Sequence, residues 1–165
     1  LKTIILPGYS PYNKEWAYEI KDKITNSSVI EWDHWSGGSM SLPREITKIK
    51  KKVGKDTFNI IAKSLGTRVT MHLISELMSQ INKIILCGIP TKLRTKKTRE
   101  LYTRGFIQIS SKNILVIQNK KDPFANAEII TKFVRSVKPK VKVIEKDRSD
   151  HNYPYPEDFV KFLTT

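Results

Sequence analysis

The chain has 165 residues, with 30 Lys and Arg against 16 Asp and Glu, a formal net charge of +14 and one cysteine. That length fits one domain and leaves no room for two ordinary ones. Cys87 alone excludes an internal disulfide and suits a reducing, cytoplasmic setting, and no apolar stretch approaches the ~18 residues of a membrane span.

Thr3–Leu6 reads as a first strand, too short for a signal-peptide core and stopped by Pro7-Gly8. Trp16, Ile20 and Ile24 then keep helical spacing. A second strand is expected over Ser28–Trp32, followed by Asp33-His34-Trp35. Leu42, Ile46, Ile49 and Val53 mark a second helix, with Lys48, Lys50, Lys51, Lys52 and Lys55 on its solvated side. Phe58–Ala62 is a third strand. After it come Lys63-Ser64-Leu65-Gly66 and a helix marked by Val69, Leu73 and Leu77. Lys83–Cys87 is a fourth strand.

The interval 89–113 is basic, weakly periodic and longer than a usual connection. Ile114–Gln118 is a fifth strand, leading into Asn119-Lys120-Lys121-Asp122-Pro123-Phe124. Ile129, Phe133 and Val137 mark the next helix, and Val141–Glu145 a sixth strand leading into Asp147-Arg148-Ser149-Asp150-His151. Pro156 opens a last helix that buries Phe159, Phe162 and Leu163.

Strands apolar on both faces, alternating with helices, predict an α/β three-layer sandwich around a six-stranded, mostly parallel sheet. In such sheets functional groups collect at the carboxyl ends of the strands. Ser64 stands there, in a tight turn between a strand and a helix, with the small Ala62 and Gly66 two residues to either side. A serine in that place alone serves equally well as a helix cap. Asp122 and His151 change the balance, because each also follows a strand, and the order Ser, Asp, His is that of α/β-hydrolases. Asp147 and Asp150 are rival acids. Asp150 adjoins His151 and reaches its neighbour's ring with difficulty. His72 reads as structural, and His34 as either core packing or part of an acyl pocket.

On Leu6-Pro7-Gly8-Tyr9, the Ser64 turn, Lys121-Asp122-Pro123-Phe124 and the His151 loop, the chain resembles the α/β-hydrolases. The likeness is strongest to small serine hydrolases related to retinoblastoma-binding protein 9 and to YdeN-like proteins. Ala62 stands where the common pattern has glycine, and the first strand pair of larger relatives is missing. The resemblance implies a carboxylesterase-like serine hydrolase of short acyl esters, thioesters or lactones, with a Ser64–His151–Asp122 triad and no cofactor. It places one oxyanion donor at Leu65 N–H and a second near Tyr9 or Ser10, with Gly8, Trp35 and Phe124 against the substrate. It also makes 89–113 a short cap, with Leu93, Leu101, Tyr102, Phe106 and Ile107 as anchors.

No metal-ligand spacing and no phosphate-binding glycine loop occurs. Cys87 reads as a small buried strand residue. The alternative is a non-catalytic module that uses its basic faces on an anionic partner such as nucleic acid, an attraction the net charge makes non-specific.

Overall fold

A computed structural model describes residues 1–165. Six strands form one sheet: β1 (Lys2–Leu6), β2 (Ser27–Val29), β3 (Phe58–Lys63), β4 (Ile81–Cys87), β5 (Ile114–Asn119) and β6 (Lys142–Lys146). Their order is β2-β1-β3-β4-β5-β6, and every neighbouring pair is parallel. The sheet expected to be mostly parallel is parallel throughout. The helices are α1 (Asn13–Lys23), α2 (Leu42–Val53), α3 (Leu65–Leu77), α4 (Lys96–Gln108), α5 (Ala127–Val137) and α6 (Pro156–Thr164).

The isoleucine-rich central strands have helices on both sides, so both of their faces are apolar. Alternate residues of one strand enter different cores: Ile4, Ile60 and Ile84 join one, Ile5, Ile61 and Ile85 the other. α1 and α6 cover the second core through Trp16, Ile20 and Phe159. The edge strands β2 and β6 are only half-buried.

Three sequence expectations shift. The second strand was expected to reach Trp32 but ends at Val29. Trp32 is fully buried in the following loop, where its indole N–H serves carbonyls beyond β1. On α5 the fully buried stripe is Ala127, Ile130, Thr131 and Val134, while Ile129, Phe133 and Val137 lie half-buried beside it.

The third shift concerns the expected cap at 89–113. This interval carries α4, because parallel neighbours β4 and β5 need a crossover. Tyr102 and Phe106 are buried: Tyr102 OH bonds Thr67 Oγ1 on α3 at 2.8 Å, and the Phe106 ring meets Phe133 of α5. Leu93 is also buried, whereas Ile107 is exposed.

β1 and β3 are adjacent, and the chain leaves them toward opposite sides of the sheet. The crevice between their carboxyl ends is the topological switch point. Ser64 and the Pro7–Ser10 loop both open into it.

Candidate functional site

Ser64 follows six buried residues of β3 and begins the turn into α3. Its backbone takes φ 53° and ψ −115°, a region costly for any side chain with a Cβ, by about 1–3 kcal/mol. Surrounding contacts fix it there. Ser64 N–H donates to Cys87 O at 2.9 Å, Thr67 N–H to Ser64 O at 2.9 Å and Gly66 N–H to Pro7 O at 3.2 Å.

Gly66 is required at this crossing, since a Cβ there would stand 2.1 Å from the backbone oxygen of Leu6. Gly66→Ala is therefore expected to lose about 1–3 kcal/mol of stability in urea unfolding. A variant as stable as wild type would show that α3 does not press on β1 as described.

The loop after β1 is tied down by its carbonyls. Trp32 Nε1 donates to Pro7 O (3.2 Å) and Gly8 O (3.0 Å), and Trp35 Nε1 to Tyr9 O (2.8 Å). His34 Nε2 also bonds Tyr9 O (2.7 Å), and the Asn13 amide and side chain bond Ser10 O (each 2.9 Å). With every carbonyl engaged, the N–H groups of Tyr9 and Ser10 have no acceptor. Leu65 N–H belongs to the open first turn of α3. Unpaired N–H groups therefore lie on both sides of Ser64.

Opposite them stands His151, whose side chain is 18% exposed. Its Nδ1–H donates to Asp122 Oδ2 at 2.6 Å, while Nε2 is buried without a hydrogen-bond partner. The other two acids turn elsewhere: Asp150 is clamped by Arg148 Nε (3.0 Å) and Nη2 (2.5 Å), and exposed Asp147 faces Lys120.

Asp122 is 4% exposed and well served by donors. Tyr153 OH donates to the same Oδ2 at 2.6 Å, and Phe124 N–H to Oδ1 at 2.9 Å. Burial pushes its pKa up, but the hydrogen bonds from His151, Tyr153 and Phe124 N–H together hold it below the ordinary 3.8. Tyr153 OH is itself fixed by Asn119 N–H at 3.0 Å. Tyr153→Phe is expected to cost about 1–3 kcal/mol of stability through the unmet Asn119 and Asp122 groups. Thermal unfolding unchanged by this substitution would contradict that account.

Gly88, at φ +59°, forms the floor below the ring: a Cβ there would meet Tyr153 Cε2 at 2.5 Å and His151 Cε1 at 3.0 Å.

A cleft of about 930 Å³ joins these groups, bordered by Tyr9, Ser10, Ser64, Leu65, Phe124 and His151. Phe124 is 54% exposed and packs on the His151 ring with centroids 4.5 Å apart. Gly8 and Trp35, expected against the substrate, do not border it. The Trp35 indole turns to the back of the loop for Tyr9 O, and Gly8 is buried against the Asn13 side chain. From 89–113 only Pro90 reaches the cleft, so Lys92, Arg94, Lys96, Lys97 and Arg99 do not line it.

The sequence reading missed Lys63, Arg68, Trp16, Asn13 and Asn152, all of which border the cleft. Lys63 carried a signal, being a lysine at the end of a mostly apolar strand. Burial holds its pKa below the ordinary value. His72 lies on α3 away from the cleft. Burial pushes the Cys87 thiol pKa up, unsuited to thiolate chemistry. No cluster of His, Cys, Asp and Glu could hold a metal ion, and no helix is long and apolar enough to cross a membrane.

Known proteins carry the same framework. The Bacillus subtilis ydeN gene product superposes with a TM-score of 0.69 at 13% identity, covering 100% of both chains. Mouse alpha/beta hydrolase domain-containing protein 10 gives 0.67 at 12% identity, over 99% of this chain and 87% of its own. The Pyrococcus furiosus esterase Pf2001 gives 0.67 at 16%, over 99% and 82%. At such identities the likeness is one of fold. No curated protein sequence matches the chain. A family model described as an alpha/beta hydrolase domain matches residues 39–158, from before the Ser64 turn to beyond His151. The chain belongs to the alpha/beta hydrolase family.

Proposed function

We propose that this hydrolase-family member is a serine hydrolase of short-chain carboxylic esters, thioesters or lactones, with Ser64, His151 and Asp122 as its catalytic residues. The observation that carries this reading is the state of His151. One ring nitrogen is tied to a buried carboxylate, and the other is an unpaired acceptor in the same cleft as a serine held at a strained turn.

His151 Nε2 takes the Ser64 proton as Oγ attacks the substrate carbonyl. Asp122 holds the ring in that tautomer and stabilises the imidazolium. The oxyanion is received by Leu65 N–H and by Tyr9 or Ser10 N–H, each donor being worth about 10²–10³ in turnover. The imidazolium then returns its proton to the leaving alcohol or thiol, and water repeats the sequence on the acyl-enzyme. The segment 89–113 supplies Pro90 alone to the cleft, so selectivity for the acyl chain is weak.

p-Nitrophenyl esters from acetate to octanoate test the reading, on wild type and Ser64→Ala together. Turnover of the short esters by wild type, absent in the variant, is expected. Equal rates for the two proteins would overturn it.

A further inference from the structure

Lys63 stands out among the residues around the cleft. It ends β3, immediately before Ser64, and is 6% exposed. Lysines are almost never buried to this extent unless paired, yet Lys63 takes part in none of the chain's ion pairs. Its Nζ donates to Asn13 Oδ1 at 2.7 Å and lies 5.3 Å from the centre of the Trp16 ring. A buried charge with so little compensation costs several kcal/mol in a protein.

Those two contacts lead to the two loops that border the site. Asn13, its amide oxygen held by Lys63, turns Nδ2–H to Ser10 O at 2.9 Å, where its own backbone N–H also donates at 2.9 Å. Ser10 O is thereby pinned away from the cleft, and Ser10 N–H is left without an acceptor. Asn13 also packs against Gly8, where a Cβ would stand 2.6 Å from its Oδ1. Trp16, beneath the ammonium, donates Nε1–H to Tyr153 O at 2.9 Å and so ties α1 to the histidine loop.

We infer that Lys63 is a positioning residue for the oxyanion pocket: through Asn13 it fixes the Tyr9–Ser10 loop, and its ammonium, held in no ion pair, adds positive charge to the cleft it borders. The inference rests on the serine-hydrolase reading. Negative charge appears on the substrate oxygen only as Ser64 attacks. A fixed cation and a pre-set loop then act on the transition state without reorganising, whereas the neutral ester gains little from either. The signature is a loss of kcat with KM preserved. A lysine that merely packs its stem on Trp16 would leave kcat as it is once the fold is intact.

The test compares Lys63→Met, Lys63→Arg, Asn13→Ala and the Lys63→Met/Asn13→Ala pair on p-nitrophenyl acetate, with Ser64→Ala as the blank. Lys63→Met is expected to lower kcat by about 10–100-fold, with KM within about twofold of wild type. Lys63→Arg, which keeps a cation and donors, is expected to retain clearly more. The pair should be no worse than Lys63→Met alone, because both changes break one connection.

Exchange of the Trp32 and Trp35 indole N–H protons, which donate to the carbonyls of Pro7, Gly8 and Tyr9, needs no activity and should quicken in Lys63→Met and in Asn13→Ala. Asn13 is half-buried in the first turn of α1, so Asn13→Ala carries the exchange test if Lys63→Met fails to fold. Unchanged kcat in Lys63→Met, losses that multiply in the pair, an arginine no better than methionine, or unchanged exchange would each overturn the inference. Wild-type turnover no higher than that of Ser64→Ala would overturn the serine-hydrolase reading and this inference with it. Ser64-dependent turnover that ignores Lys63 would overturn only the latter.

Discussion

Ser64→Ala and His151→Ala are each expected to lower ester turnover by about 10⁵–10⁶, and the double variant to fall no further. In the proposed mechanism the two side chains perform one event, transfer of the Oγ proton to Nε2 as the new bond forms, so removing either removes all of it. The structure gives this expectation its form. Nε2 has no competing partner, Nδ1 is committed to Asp122, and Ser64 is held by its neighbours at a backbone angle it would not choose. The floor reached by all three variants should stand above the rate in water, because Leu65 N–H and the Tyr9–Ser10 loop persist. Steady-state kinetics decides the point. Losses that multiply in the double variant would mean that Ser64 and His151 act separately.

Asp122→Asn is expected to lower kcat by about 10⁴ while leaving the fold in place, since the amide favours the wrong imidazole tautomer. The same substitution has a second, opposite-facing consequence in acid. The folded pKa of Asp122 lies below its ordinary 3.8, so the ionised carboxylate stabilises the fold fully above that value. The contribution is lost as the pH falls through the lower folded value. In Asp122→Asn that acid-side slope should flatten. Stability followed by urea unfolding between about pH 2 and 6 measures it, and an unaltered slope would show that other carboxylates govern acid unfolding.

Much of this arrangement was legible because it depends on local pattern. β3, β4 and β5 are buried on both faces, so their runs of isoleucine and valine announce central parallel strands. Once those strands are placed, Ser64 falls at the carboxyl end of β3 and Asp122 at that of β5 by topology alone, while His151 follows the edge strand β6. The edge strand β2 was harder, since its half-buried residues carry no such run and the apolar Ile30 and Trp32 beyond it belong to a loop.

What the sequence hid depends on contacts between distant parts of the chain. Trp35 was expected in the cleft, yet its indole serves Tyr9 O from behind. An aromatic residue near a strand end does not reveal which side of the loop it takes. Lys63 meets Asn13 across 50 residues, and Gly88 lies against His151 and Tyr153 from another strand. Neither contact leaves a local trace. The interval 89–113 was misleading for a different reason: α4 is basic on its exposed side, and its fully buried residues are only Tyr102, Gly105 and Phe106, with Gly105 set closely against Met71 of α3. Its amphipathic period is correspondingly weak.

The central claim is that Ser64 attacks as a nucleophile activated by His151, and a fluorophosphonate probe tests it most directly. Labelled protein would be digested and the adduct located by mass spectrometry. The account predicts a single adduct, on the peptide containing Ser64, absent from Ser64→Ala and formed far more slowly in His151→Ala. Wild-type protein that remains unlabelled, or an adduct that survives Ser64→Ala, would contradict it.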